Sequence, residues 1–237
     1  VRFPGFLVIA HRGASGSEIE NTLPAFRRAV REGADFAETD LRLSADGHVV
    51  LFHDDDLRRL ARRPGTVEGH ALGSLPPLSP RARPGPGRIP TLAETLAACP
   101  GLRFFLELKN TPGNGAELVD ATLRAVGAAR ASRRVAFLGF DPAALERVRR
   151  ARPRAVLGWN LEGPLPRRFE AWCARLRPRF LGVPADRATT PRIRRLGTPG
   201  RGVLVFTVND PREAGRLRRA GAAGVFTDWP GRLLPSP

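Results

Sequence analysis

Methionine and tyrosine are absent from the 237 residues, lysine occurs once and cysteine only twice. Cys99 and Cys173 stand far apart and in no C-x-x-C pattern, so neither a zinc cage nor a disulfide framework is indicated. Two free thiols fit a reducing, cytoplasmic setting. No apolar run approaches the roughly 18 residues a spanning helix needs. The longest, such as Phe6 to Ala10 and Val203 to Phe206, are strand-sized, and stable membrane insertion is not expected. No G-x-G-x-x-G follows the first strand-like run, which argues against a dinucleotide-binding open sheet. The first residue is Val1, so a removed leader would leave no trace in this sequence.

What remains is globular. Apolar residues make up 42% and charged residues 26%, too apolar for disorder and too polar for a membrane protein. The length suits one domain over residues 1–237. Acids are in deficit, 23 against 39 basic side chains, and the resulting charge of +16 draws the chain toward anions without choosing among them. Nearly all of that base is arginine. Against such a background the single lysine, Lys109, marks a place where a compact ammonium is needed.

Short β-branched or aromatic runs alternate with amphipathic stretches along the chain. The strand candidates are Phe6 to Ala10, Phe36 to Leu43, Val49 to Phe52, Arg103 to Leu108, Val135 to Phe140, Ala155 to Trp159, Phe180 to Val183, Val203 to Val208 and Gly224 to Thr227. Thr91 with Glu94 is a capping-box signature, and Asp141-Pro142 and Asp210-Pro211 each pair an N-cap acid with Pro at the first helical position. Eight parallel strands with one extra hairpin strand predict an α/β fold, a (β/α)8 TIM barrel. The Arg-, Pro- and Gly-rich stretch 57–90, after His53, breaks the rhythm. It is expected to be a surface excursion near the active end or a partly mobile lid.

Catalytic groups in such barrels sit at the C-terminal ends of strands. The first strand ends in His11-Arg12-Gly13, the second carries Glu38-Thr39-Asp40, the third leads into His53-Asp54, and the fourth ends in Glu107-Leu108-Lys109. Side chains alternate along a strand, so Glu38 and Asp40 share one face, as do Glu107 and Lys109. Asp46-Gly47 signals a two-residue hairpin turn, which would set Ala45 opposite His48 and Asp40 opposite His53. Three carboxylates converging on one point repel one another unless a cation holds them, and an all-oxygen set favours Mg2+ or Ca2+ over zinc. Taken singly, each residue has a plain structural explanation; His48, beside the turn, and His70, in the excursion, read as solvated surface.

The ordered set His11-Arg12-Gly13, Glu20-Asn21-Thr22, Gly33-Ala34-Asp35, Glu38-Thr39-Asp40, Asp46-Gly47, His53-Asp54, Pro90-Thr91-Leu92 and Glu107-Leu108-Lys109 resembles the glycerophosphodiester phosphodiesterase family. The resemblance continues through Phe140-Asp141-Pro142, Thr207-Val208-Asn209 and Thr227-Asp228-Trp229-Pro230, almost the whole chain. It implies a (β/α)8 barrel that uses one divalent cation to hydrolyse glycerophosphodiesters, such as glycerophosphocholine or glycerophosphoethanolamine, to sn-glycerol 3-phosphate and an alcohol. It also implies that Glu38, Asp40 and Glu107 bind the metal, that His11 and His53 form the acid–base pair, and that Arg12 and Lys109 bind phosphate. Phe206 stands where the family has a Trp that walls the glycerol site, Gly139 where it often has Ser, and Ile19 where it usually has Pro. The Gly139 departure would remove a hydroxyl near the barrel mouth.

The partner implied is a small glycerophosphodiester. One rival keeps the barrel and acts as a lysophospholipase D on lysophospholipids, though no long amphipathic helix offers interfacial docking. A second rival is a non-catalytic anion or nucleic-acid binder. Against nucleic acid, the arginines are scattered and no aromatic stacking motif accompanies them.

Overall fold

The computed structural model describes residues 5–80, 87–109 and 113–234, so residues 81–86 of the expected excursion lie outside the described residues. Its strands are β1 (Leu7–Ala10), β2 (Phe36–Leu43), β3 (Val49–Leu51), β4 (Phe104–Leu108), β5 (Val135–Gly139), β6 (Leu157–Asn160), β7 (Phe180–Pro184), β8 (Gly202–Phe206) and β9 (Gly224–Thr227). All but β3 are parallel neighbours in a ring that runs β1, β2, β4 to β9 and back to β1. β3 lies antiparallel on β2, outside the ring. The architecture is the expected TIM barrel with an added hairpin strand.

Helices fill the connections: α1 (Leu23–Arg31), α2 (Arg58–Ala61), α3 (Leu92–Ala98), α4 (Gly115–Ala128), α5 (Pro142–Ala151), α6 (Phe169–Leu176), α7 (Thr190–Leu196), α8 (Pro211–Ala220) and α9 (Pro230–Leu233). Their starts follow local chemistry. Thr91 and Glu94 close a reciprocal capping box on α3. The side chains of Asp141 and Asp210 accept from Ala143 N and Arg212 N at 2.8 and 2.9 Å, with Pro at the first helical position each time.

Strand alternation sorts the apolar residues into two cores. Outward side chains meet the helices, as Phe104 of β4 does against Phe26 of α1 at 5.3 Å between ring centroids. Inward side chains fill the barrel, where Phe105 packs against Phe36, Phe180 and Phe226 at 4.9, 5.7 and 5.9 Å. Each such burial contributes about 2 kcal/mol, and the lower barrel is a packed aromatic and aliphatic plug. The excursion has a third core of its own. Leu57, Leu60, Val67, Leu78 and Ile89 bury against Val50 and Phe52 beside β3, which makes the stretch an anchored surface excursion where its residues are described.

The hairpin departs from expectation by one residue. Leu41 pairs with Leu51 and Leu43 with Val49, so Ser44 faces His48 across a three-residue loop, Ala45-Asp46-Gly47. Gly47 takes φ +81°, the left-handed residue such a loop needs, and Ser44 Oγ accepts from His48 N at 3.0 Å. Asp40 O therefore accepts from Phe52 N at 3.0 Å, and His53 lies one position beyond the predicted pairing. An Asp-Gly pair serves both loop lengths, and the extra residue decides which side chain meets Asp40.

Candidate active site

Above the aromatic plug the same inward alternation turns polar. On β2 the series Phe36, Glu38, Asp40 climbs from plug to rim; on β4 Phe105 is followed by Glu107 and then Lys109; β6 ends in Asn160 and β8 in Phe206. Register sets Asp40 directly beside Glu107. All eight residues expected from the sequence, His11, Arg12, Glu38, Asp40, His53, Glu107, Lys109 and Phe206, line one cavity of about 170 Å3 at this end. A larger hollow of about 460 Å3 at the opposite end of the barrel is lined by Arg179, Arg194 and Arg201 and by no acid or histidine.

Glu38, Asp40 and Glu107 are buried, and one carboxylate oxygen of each lies within 4.8 Å of the others. Burial, followed by the charges of Asp40 and Glu107, pushes the Glu38 carboxyl well above its usual range. Burial also resists ionisation of Asp40, but Lys109, Arg12 and His53 outweigh it and hold that carboxyl well below its ordinary value. Glu38 Oε2 accepts from Arg12 N at 2.9 Å, whereas Glu38 Oε1 is buried with no hydrogen-bond partner among the described residues. An orphaned carboxyl oxygen among three crowded acids fits a hard divalent cation, and these residues can hold one.

Each histidine is held by a carboxylate. His11 Nδ1 lies 2.8 Å from Asp228 Oδ1, and His53 Nδ1 lies 2.9 Å from Asp54 Oδ1. A carboxylate accepts, so in both rings Nδ1 donates and Nε2 is left to exchange a proton. The His11 contact also pulls Asp228, despite the burial that opposes it, down to about 2. His48 is largely exposed, and His70 Nδ1 lies 2.8 Å from Thr66 O; both are outside the cavity.

The cations are fixed as firmly. Lys109 pairs with Glu107 and lies 3.2 Å from Asp40 Oδ1; burial lowers its basicity, yet Asp40 and Glu107 hold the ammonium above its ordinary value. Arg12 donates to Glu20 Oε1 at 2.8 Å and lies 3.3 Å from Asp40 Oδ2. Phe206 meets Phe140 edge-on at 6.1 Å, an apolar wall facing the charged side.

Several contributors were not singled out from the sequence. Asp228 and Asp54 orient the histidines; Asn21 donates to Asp40 Oδ2 at 2.8 Å and accepts from Thr39; Asn160 donates to Glu107 Oε2 at 2.9 Å. Buried Arg42 donates to His53 O at 2.8 Å while pairing with Asp55 and Glu68. Asp54, Asn21 and Asp228 stand inside motifs already quoted, and Asn160 follows the inward alternation of β6, so a signal existed for each. One expectation is corrected. A Cβ on Gly139 would meet Leu145 of α5 at 3.7 Å, because position 139 faces the helices; a serine there would not reach the barrel mouth.

Residues 11–232 match the family model described as the Glycerophosphoryl diester phosphodiesterase family. A glycerophosphodiester phosphodiesterase of Caldanaerobacter subterraneus is 30% identical, with 96% of each chain covered. An Oleispira antarctica phosphodiesterase, solved in complex with the product sn-glycerol 3-phosphate, superposes with a TM-score of 0.86 at 28% identity over 97% of this chain and 95% of that one. A Thermotoga maritima glycerophosphodiester phosphodiesterase gives a TM-score of 0.77 at 27% identity over 96% of both chains.

Proposed function

The chain belongs to the glycerophosphoryl diester phosphodiesterase family, and from that premise we propose that its barrel, one domain over residues 1–237, hydrolyses small glycerophosphodiesters to sn-glycerol 3-phosphate and an alcohol through His11 and His53. The observation that carries the reading is the pair of carboxylate-held imidazoles facing the same small cavity as Glu38, Asp40 and Glu107. A phosphodiester resists attack because its own charge repels the nucleophile and its alkoxide leaves poorly. Arg12 and Lys109 answer the first difficulty by binding the non-bridging oxygens. The histidines answer the second, His53 taking the proton of the nucleophile and His11 giving one to the departing alcohol. Asp54 and Asp228 keep each Nε2 available for that exchange. The nucleophile is water, or the substrate's own glycerol 2-hydroxyl, which expels the alcohol to give a cyclic phosphate that water then opens to sn-glycerol 3-phosphate; Phe206 packs against the glycerol carbons.

Glu38, Asp40 and Glu107 would hold one divalent cation, Mg2+ or Ca2+, which when bound supplies further neutralisation of the phosphate charge. Glycerophosphocholine and glycerophosphoethanolamine are the substrates of choice for a first test. The two cysteines are free and buried, which suits a reducing cytoplasm, and among the described residues no helix is long and apolar enough to cross a membrane. The test is release of glycerol 3-phosphate after chelation and again with Mg2+ or Ca2+ restored, beside Glu38→Ala. Release restored by the metal in the wild type alone is expected. Release indifferent to chelation, or unchanged in Glu38→Ala, overturns the metal assignment.

A second reading draws on an open, arginine-rich hollow of about 910 Å3 at α2, lined by Arg58, Arg59, Arg62 and Arg63 together with Asp56 and Leu60. That surface suits the anionic lipid interface at which a lysophospholipase D would meet its lysophospholipid. Choline release from lysophosphatidylcholine exceeding that from glycerophosphocholine would favour it.

A further inference from the structure

We infer that Arg59 is a positioning residue that locks the phosphate-binding Arg12 to the acid–base His53, and that the excursion after β3 serves to present it. The inference rests on the roles given to Arg12 and His53 above.

Arg59 lies inside α2 and touches no reacting group. Its guanidinium instead engages two acids at once. Nη1 and Nη2 donate to the Glu20 carboxylate at 2.7 and 2.8 Å, and Nε and Nη2 donate to the Asp54 carboxylate at 2.7 and 2.8 Å. Each acid then reaches one functional side chain: Glu20 Oε1 accepts from Arg12 Nη1 at 2.8 Å, and Asp54 Oδ1 accepts from His53 Nδ1 at 2.9 Å. The result is a continuous chain of alternating charge, Arg12, Glu20, Arg59, Asp54, His53. Only a planar fork with five N–H groups can make both bidentate contacts; the point charge of a lysine ammonium cannot.

The excursion's apolar core explains how a half-exposed arginine is held still. Leu57 and Leu60, on either side of Arg58 and Arg59, are buried with Phe52 and Val67, and Leu57 N donates to Gly65 O at 2.9 Å. The helix backbone is therefore fixed from beneath while the guanidinium is fixed from in front. Its neighbour Arg58 has no such setting, being three-quarters exposed and meeting Asp56 at 3.6 Å. An exposed ion pair of that ordinary kind adds little stability. The Arg59 network differs because each of its acids also holds a side chain that lines the site, Arg12 or His53.

The test is steady-state kinetics on glycerophosphocholine with Mg2+, for the wild type, Arg59→Ala, Arg59→Lys and the double variants with Glu20→Gln and Asp54→Asn, with Arg195→Ala, exposed on α7, as a reference and circular dichroism as the check on folding. Arg59→Ala is expected to lower kcat about tenfold, through His53, and to raise KM about tenfold, through Arg12. The two effects should separate. Once Glu20→Gln has cut the Arg12 branch, Arg59→Ala should change kcat alone; once Asp54→Asn has cut the His53 branch, it should change KM alone. Arg59→Lys should fail to restore both together, and Arg195→Ala should stay within twofold of the wild type. Losses that multiply in full in both double variants, or Arg59 variants within twofold of the wild type, overturn the inference. If Arg59→Ala does not fold, Arg59→Lys decides the matter by the same limits. An inactive wild type, or an active His53→Ala variant, overturns the functional reading and this inference with it. A wild type that needs His53 but is indifferent to Arg59 overturns the inference alone.

Discussion

The two histidine arms make the same contact and are supported in opposite ways. His11 follows the first barrel strand, and its carboxylate comes from the end of the last one, beside Asn209, which binds Asp228 Oδ2 at 2.8 Å. His53 takes its carboxylate from the adjacent residue, and the groups that touch this pair come from the hairpin and excursion: Arg42 on its carbonyl, Arg59 on Asp54 and the small apolar core beneath. One arm is made by closing the barrel, the other by an addition to the barrel's rim. A site of this kind therefore depends on two local stabilities, and the weaker of them governs its precision.

The largest way to break the comparison is at the rings themselves. His11→Ala and His53→Ala should each lower turnover by about a hundredfold to ten-thousandfold, measured as glycerol 3-phosphate release, and near-normal activity in either would dissolve the symmetry of the arms. Leu60→Ala sharpens it, since that side chain is buried under only one arm. It should cost about 2 to 4 kcal/mol of local stability and lower kcat, whereas native-like hydrogen exchange throughout 49–79 would show that the small core does not support His53. Acid should act on both arms, because, against its burial, the Asp54 carboxyl is held low by His53 and Arg59, and Asp228→Asn isolates the share of the His11 arm. The Asp228 carboxyl is lowered from 3.8 to about 2 in the fold, so its contribution is full above 3.8 and is lost as pH falls toward 2. A wild-type melt should lose about 2 kcal/mol across that window that Asp228→Asn does not lose; identical pH profiles would refute the pairing. Smallest is Ser15→Ala. Its Oγ lies 2.8 Å from His11 O and 3.0 Å from Asp228 Oδ1, and its removal should cost no more than about 1 kcal/mol in a denaturant titration, with kcat within about threefold.

The barrel and the charged rim were legible in the sequence because one rule, alternation along a strand, governs both. Phe36, Glu38 and Asp40 had to share a face, as did Phe105, Glu107 and Lys109, and closure of the ring turned both faces inward. Legibility stopped where a contact depends on a loop. The hairpin register slipped by one because Asp46-Gly47 fits loops of two or three residues, and the choice lies with Gly47's left-handed backbone and Ser44's hydroxyl. The hydroxyl that the resemblance set near the mouth at position 139 has no such place, because a resemblance in letters does not say that this position of β5 faces Leu145. The orienting residues Asp54 and Asp228 were visible as letters, but their role is a matter of angle and distance. Arg42 and Arg59, among 38 arginines, had nothing in composition to set them apart.

His11 and Asp228 are 217 residues apart in sequence, yet one hydrogen bond joins them. A nascent chain emerging from the ribosome carries His11 long before Asp228 and can form hairpin, excursion and successive βα units as they appear. It cannot orient that imidazole until β9 has been made and has docked beside β1. Contacts so distant in sequence form late because loop closure must come first. Hydrolytic activity in a refolding time course would therefore lag behind secondary structure, and its onset would mark the moment at which the barrel seals.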